Sequence, residues 1–139
     1  MNKDKKLTIL KKGHTRYPES PEQARLETFE NPSPSNKYTV EFSTEEFTSL
    51  CPVTSQPDFG KINIEYIPDK KCIESKSLKL YLFSYRNYQG FVEKITNKIL
   101  DDIVKACSPL YARVTGIFNP RGGIGIKVEA DYNKERKSK

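Results

Sequence analysis

The chain has 139 residues, 35% of them apolar, with 24 lysines and arginines against 18 aspartates and glutamates, a formal charge of +6. That length suits one domain with a modest core, and the charge excess sits at the ends: +3 in residues 1–37, +2 in 131–139 and only +1 between them. A near-neutral body argues against a nucleic-acid-binding surface, and no apolar run approaches the roughly 18–20 residues needed to cross a membrane.

Residues 1–37 are rich in Lys, Glu, Ser and Pro, and Pro18, Pro21, Pro32 and Pro34 break any helix there, which predicts a flexible leader. Its opening, Met-Asn-Lys-Asp-Lys-Lys, precedes an apolar stretch too short for a secretory signal. The single histidine, His14, falls in this leader, and the three cysteines have no regular spacing, so neither metal site nor disulfide framework is signalled. A reducing cytoplasm is the expected compartment.

The domain is expected over 38–132. Tyr38–Ser43 alternates as a strand. Glu46–Asp58 then reads as a stiff polar connection, carrying Cys51 before Pro52 and Asp58 after Pro57. Lys61–Ile67 alternates strictly, with Ile62, Ile64 and Tyr66 on one face. From Glu74 to Asn87 the spacing predicts a helix that is apolar on most sides, the pattern of a helix also buried against other subunits. Phe91–Cys107 is a cleaner amphipathic helix, with Ile95, Ile99, Ile103 and Cys107 at steps of four. Ser108-Pro109 ends it. Tyr111–Phe118 is a third strand, Pro120–Gly123 a turn, Ile124–Ala130 a fourth strand, and 133–139 a basic tail. Two strands, two helices and two strands make an α+β fold, an antiparallel sheet with two helices on one face.

Two environments are open to Cys51. A free thiol has a pKa near about 8.5 and needs a neighbour to take its proton; Asp58 is the nearest candidate in sequence. The alternative is a small buried hydrophobe, the reading preferred for Cys72 and Cys107. Lys76 and Lys79, three apart on a helix, suit a phosphate-bearing ligand or a solvated face alike. Arg121, in a Gly-rich turn, suits phosphate contacts or an ordinary turn. Glu74 and Glu93 fall at helix starts, where the dipole favours a carboxylate; either could instead accept paired hydrogen bonds from a guanine-like edge. Neither a Rossmann fingerprint nor a P-loop is present.

Cys-Pro-Val-Thr-Ser-Gln-Pro-Asp at 51–58, Glu-Ser-Lys-Ser-Leu-Lys-Leu-Tyr at 74–81, Tyr-Arg-Asn at 85–87 and Pro-Arg-Gly-Gly at 120–123 resemble the NADPH-dependent 7-cyano-7-deazaguanine reductases, nitrile reductases of the QueF type. The likeness runs from about Tyr38 to Ala130 and matches the short, single-module form. It implies a tunnelling fold (T-fold) in which subunits of a homo-oligomer form a β-barrel ring, often two rings stacked, with active sites between subunits. It implies a cytoplasmic oxidoreductase of queuosine biosynthesis (tRNA modification) that uses NADP cofactor in its reduced form and binds no nucleic acid, membrane or metal. By the resemblance, Cys51 attacks the nitrile carbon to give a thioimide and Asp58 relays the proton. Ile73, Glu74, Ser75, Val92 and Glu93 hold the deazaguanine; Lys76, Lys79 and Arg121 hold the NADPH phosphates. The chain departs from the family at Val92, where the family has a histidine linked to proton handling. Two alternatives follow: an amidinotransferase that resolves the same thioimide with an amine, whose known forms lack the 74–79 signature, and a cyano-deazaguanine-binding protein impaired in reduction.

Overall fold

The computed structural model describes residues 17–135. Strands β1 (Thr28–Glu30), β2 (Val40–Leu50), β3 (Pro57–Ile67) and β4 (Lys71–Ile73) precede helix α1 (Ser75–Phe83), a 3-10 turn (Ser84–Asn87) and helix α2 (Val92–Cys107); β5 (Tyr111–Arg121) and β6 (Ile124–Asn133) close the chain. The strands β2-β3-β5-β6 form one antiparallel sheet in that order, and β1 pairs with β4 in a small second one. The fold is α+β, as expected. No helix among the described residues is long and apolar enough to cross a membrane.

The alternation in β3 has the predicted consequence: Ile62, Ile64 and Tyr66 are almost fully buried on one face. Ala112 and Val114 of β5 continue that face, and Ile95, Ile99, Ile103 and Cys107 of α2 pack onto it with at most 1% exposure. A Cβ on Gly116 would lie 2.8 Å from the Thr96 hydroxyl and 2.6 Å from the Phe118 ring, so the bare backbone lets α2 approach β5 closely. The other face is polar, with rows such as Ser43–Asn63–Thr115–Glu129 and Glu41–Glu65–Arg113–Asp131 running across the strands. The Gly122-Gly123 turn between β5 and β6 has both φ values positive, +57° and +80°, as a two-residue type I′ hairpin turn requires.

Several expectations are corrected. The first strand does not stop at Ser43. A bulge between Thr44 and Phe47 absorbs the irregular polar run, and β2 continues to Leu50, which brings Phe47 into the core. The connection therefore shrinks to Cys51–Gln56, and Asp58 stands on β3 opposite Ser49. The predicted helix over 74–87 ends at Phe83 and tightens into the 3-10 turn. Within the expected leader, β1 forms a strand, Glu27 and Asn31 are buried, and the Glu27 carbonyl accepts the Glu74 N–H at 2.8 Å. Backbone pairing holds this part of the segment where composition offers little apolar surface. His14, the rest of residues 1–16 and residues 136–139 lie outside the described residues.

Candidate functional site

Cys51 begins a single helical turn closed by its own carbonyl, which accepts the Ser55 N–H at 2.9 Å; its N–H donates to the Gln56 carbonyl at 2.8 Å. Pro52 fits the first position of such a turn, since its missing N–H is not required there. The sulfur then sits where an N-cap side chain would. The Thr54 hydroxyl and the N–H groups of Thr54 and Val53 lower the thiol's pKa, while slight burial and the Asp58 charge oppose them. Thr54, not Asp58, is thus the principal stabiliser of the thiolate. The sequence reading missed it; its signal was a hydroxyl three residues after a cysteine at the start of a turn. Cys107 is the contrast: burial pushes its thiol up to about 12.

Asp58 is mostly covered and carries an ion pair from Arg121, whose Nε lies 3.1 Å from Oδ1. The same guanidinium donates to the Pro57 carbonyl at 2.8 Å. The chain before α2 is stitched to this loop. Leu50 N–H donates to the Tyr88 carbonyl at 2.9 Å, Gly90 N–H to the Leu50 carbonyl at 3.1 Å, and the Gln89 amide to the Ser55 hydroxyl at 3.1 Å. Phe91, Val92 and Glu93 follow directly, so the start of α2 lies beside the Cys51 loop. Val92 is buried, whereas Phe91 and Val53, in the two segments so joined, are exposed, at 59% and 76%.

The remaining expected site residues gather elsewhere. Ile73, Glu74 and Ser75 line a cavity of about 560 Å³ with Phe29, Tyr38 and Tyr66. The Tyr66 hydroxyl accepts the Ile73 N–H at 2.8 Å. Glu74 caps α1: Oε1 accepts the Ser77 N–H at 2.7 Å and Oε2 the Lys76 N–H at 2.8 Å. Each oxygen keeps a second lone pair. Lys76 and Lys79 line an adjoining cleft of about 770 Å³ with apolar walls from Phe42, Ile62, Leu78 and Phe83. Among the described residues neither lysine has a carboxylate partner. Two unpaired ammonium groups beside an apolar wall suit a ligand with phosphates and an aromatic base.

The expected site residues therefore fall into two groups on the chain. Cys51, Asp58, Arg121, Val92 and Glu93 gather at the end of the sheet where β2 runs into the Cys51 turn; Ile73, Glu74 and Ser75 lie by the start of β2, and Lys76 and Lys79 by its middle. Val40 and Phe42, which line the cavity of Ile73, Glu74 and Ser75, stand at the far end of β2 from Cys51, whereas the cleft of Lys76 and Lys79 runs along the strand as far as Glu46.

Comparison with known proteins gives a family model described as "QueF-like protein" that matches residues 57–137. Three proteins named NADPH-dependent 7-cyano-7-deazaguanine reductase are similar along most of their length. That of Bacteroides thetaiotaomicron is 57% identical over 109 residues, 78% of this chain and 72% of the relative. That of Halorhodospira halophila is 55% identical over 108 residues, covering 78% and 92%. That of Desulfovibrio desulfuricans is 50% identical over 130 residues, covering 93% and 78%. Among solved structures, the apo form of the archaeosine synthase QueF-Like superposes with a TM-score of 0.64 at 25% identity, over 69% of this chain and 93% of its own.

Proposed function

The chain belongs to the family of QueF-like proteins, and from that premise we infer that it is an NADPH-dependent oxidoreductase reducing the nitrile of 7-cyano-7-deazaguanine to the aminomethyl group, in queuosine biosynthesis. The observation that carries this is 50–57% identity to three reductases of that name, over 72–92% of their lengths.

Cys51 is the nucleophile in this reading. Its proton passes to Asp58, the sulfur bonds to the nitrile carbon, and Asp58 returns the proton to nitrogen, giving a thioimide. A thiolate favoured by the Thr54 turn suits this step. Glu93, at the start of α2, and Glu74, with Ile73 and Ser75, accept the donors of the deazaguanine edge, and Val92 closes the pocket by contact. Lys76, Lys79 and Arg121 hold the phosphates of NADPH. Reduction of a nitrile to an amine takes four electrons, so NADPH, the hydride source, is consumed twice per nitrile.

The active site in this reading is shared between subunits, because the cavity of Glu74, beside Val40 and Phe42, lies at the far end of β2 from Cys51, too far for both to meet one small substrate within one chain. The exposed apolar side chains of Val53 and Phe91 support covering by a neighbour. The polar outer face of the sheet suits the wall of a water-filled barrel, with α1 and α2 outside, so the proposed assembly is a β-barrel ring or two rings stacked. A nucleophilic thiol has to stay reduced, which fits the cytoplasm. The ligands are small molecules; neither nucleic acid nor membrane is required.

The test is the stoichiometry of turnover. Two equivalents of NADPH oxidised per nitrile consumed, with no turnover by Cys51→Ala, is the expected result. Normal turnover by Cys51→Ala would overturn it. The likeness to an archaeosine synthase favours a second reading, resolution of the thioimide by an amine. Amidine formation from ammonia without NADPH would establish that instead.

A further inference from the structure

We propose that Ser49 is a positioning residue for proton transfer at Cys51, its hydroxyl donating to the Asp58 carboxylate and holding it in place to take the thiol proton. The inference rests on the reading of Asp58 as the proton carrier.

Ser49 is fully buried, and its Oγ has no hydrogen-bond partner among the described residues. A buried hydroxyl left unpaired weakens a fold, so it calls for a partner that arrives or turns toward it. The register supplies one. Ser49 stands directly opposite Asp58 in the antiparallel pair of β2 with β3. Side chains opposite each other share a face, with Cβ atoms about 4.5–5.5 Å apart, close enough for a serine hydroxyl to reach a carboxylate. The face is the one that Phe47 and Ile62 bury, so the contact would form on the covered side of Asp58. Thr48, whose Oγ1 is also unpaired, points the opposite way, across from Phe59.

Asp58 needs such a second hold. Arg121 grips Oδ1 from a side chain that is 44% exposed. A carboxylate held from the rim alone can swing toward solvent. Val92, buried at the start of α2, has no group able to donate. Ser49 approaches from within the sheet and lies two residues before Cys51, at the end of β2 from which the Cys51 turn starts. In the step itself the Cys51 S–H proton moves to Asp58 and the sulfur forms the C–S bond. One π pair of the nitrile becomes the nitrogen lone pair, which takes the proton back from Asp58. Ser49 keeps its own proton throughout.

The test is Ser49→Ala, with adduct formation at Cys51 followed by mass spectrometry after rapid mixing with 7-cyano-7-deazaguanine. The expected rate constant at saturating substrate is lower by roughly 10- to 100-fold, the range for losing a hydrogen bond to a charged group. The half-saturating concentration should stay the same, and the melting temperature should stay the same or rise, since the substitution removes an unpaired buried hydroxyl. An unchanged rate constant, or a loss that accompanies a lower melting temperature, overturns the proposal. Failure of the wild-type chain to form any adduct would instead overturn the underlying reading of Cys51 and Asp58.

Discussion

Arg121, at the end of β5, reaches across to β3 and sets its Nε 3.1 Å from Asp58 Oδ1. The residue expected to grip a cofactor phosphate thus also holds the expected proton carrier. With the Arg121 side chain 44% exposed, solvent screens the pair and its contribution to stability is small, so its effect should be on the reaction. Arg121→Ala is expected to raise the KM for NADPH by about tenfold, as loss of one charge-assisted contact implies, and to slow adduct formation measured without NADPH. Steady-state kinetics and adduct mass measured side by side check both.

Thr54 gives a prediction with a definite sign. Its hydroxyl and N–H lower the Cys51 pKa, so the thiolate persists to lower pH than in an ordinary thiol. Thr54→Val removes the hydroxyl and lets the pKa rise. The pH profile of Cys51 alkylation by iodoacetamide should therefore shift to higher pH in the variant, with the rate converging on the wild-type value in strong alkali.

Glu74 joins structure to recognition. It is buried and caps α1 with both carboxylate oxygens. Glu74→Gln keeps one acceptor and loses the charge at the helix start, so unfolding by urea should show a loss of about 1 kcal/mol. Binding of 7-cyano-7-deazaguanine, measured by calorimetry, should weaken beyond that loss of stability if Glu74 also meets the substrate.

The proposed sharing of the site between chains predicts complementation. Cys51→Ala removes the nucleophile from one half, and Ser75→Trp blocks the other with a bulky side chain. Each variant alone should be inactive. Mixed subunits, unfolded together and refolded, should regain activity, because some sites then combine two intact halves. No recovery, with mixed oligomers demonstrated by native mass spectrometry, would contradict sharing.

How much of this was legible beforehand depends on which force sets each element. Alternation placed Ile62, Ile64 and Tyr66 correctly, and steps of four placed Ile95, Ile99 and Ile103, because burial enforces those periods. The stretch from Glu46 to Leu50 was misread as part of a connection, since a bulge breaks the alternation and the strand is held by its pairing with β3. β1 was missed for a similar reason: three residues paired with β4 leave no periodic trace. Cys51 and Asp58 stood out as a proline-flanked pair, but the turn that puts Thr54 against the sulfur is a matter of backbone direction. The two groups of candidate residues were legible only as motifs; the placing of Glu74 at the far end of β2 from Cys51 was not.

The most direct measurement is the mass of the chain after incubation with 7-cyano-7-deazaguanine, with and without NADPH. A nitrile adds without a leaving group, so the account predicts a gain equal to the whole substrate, located at Cys51 and absent from Cys51→Ala. On addition of NADPH the gain should disappear as two equivalents are oxidised. A chain that oxidises NADPH at full rate with alanine at position 51, or one that never acquires the adduct, would contradict it.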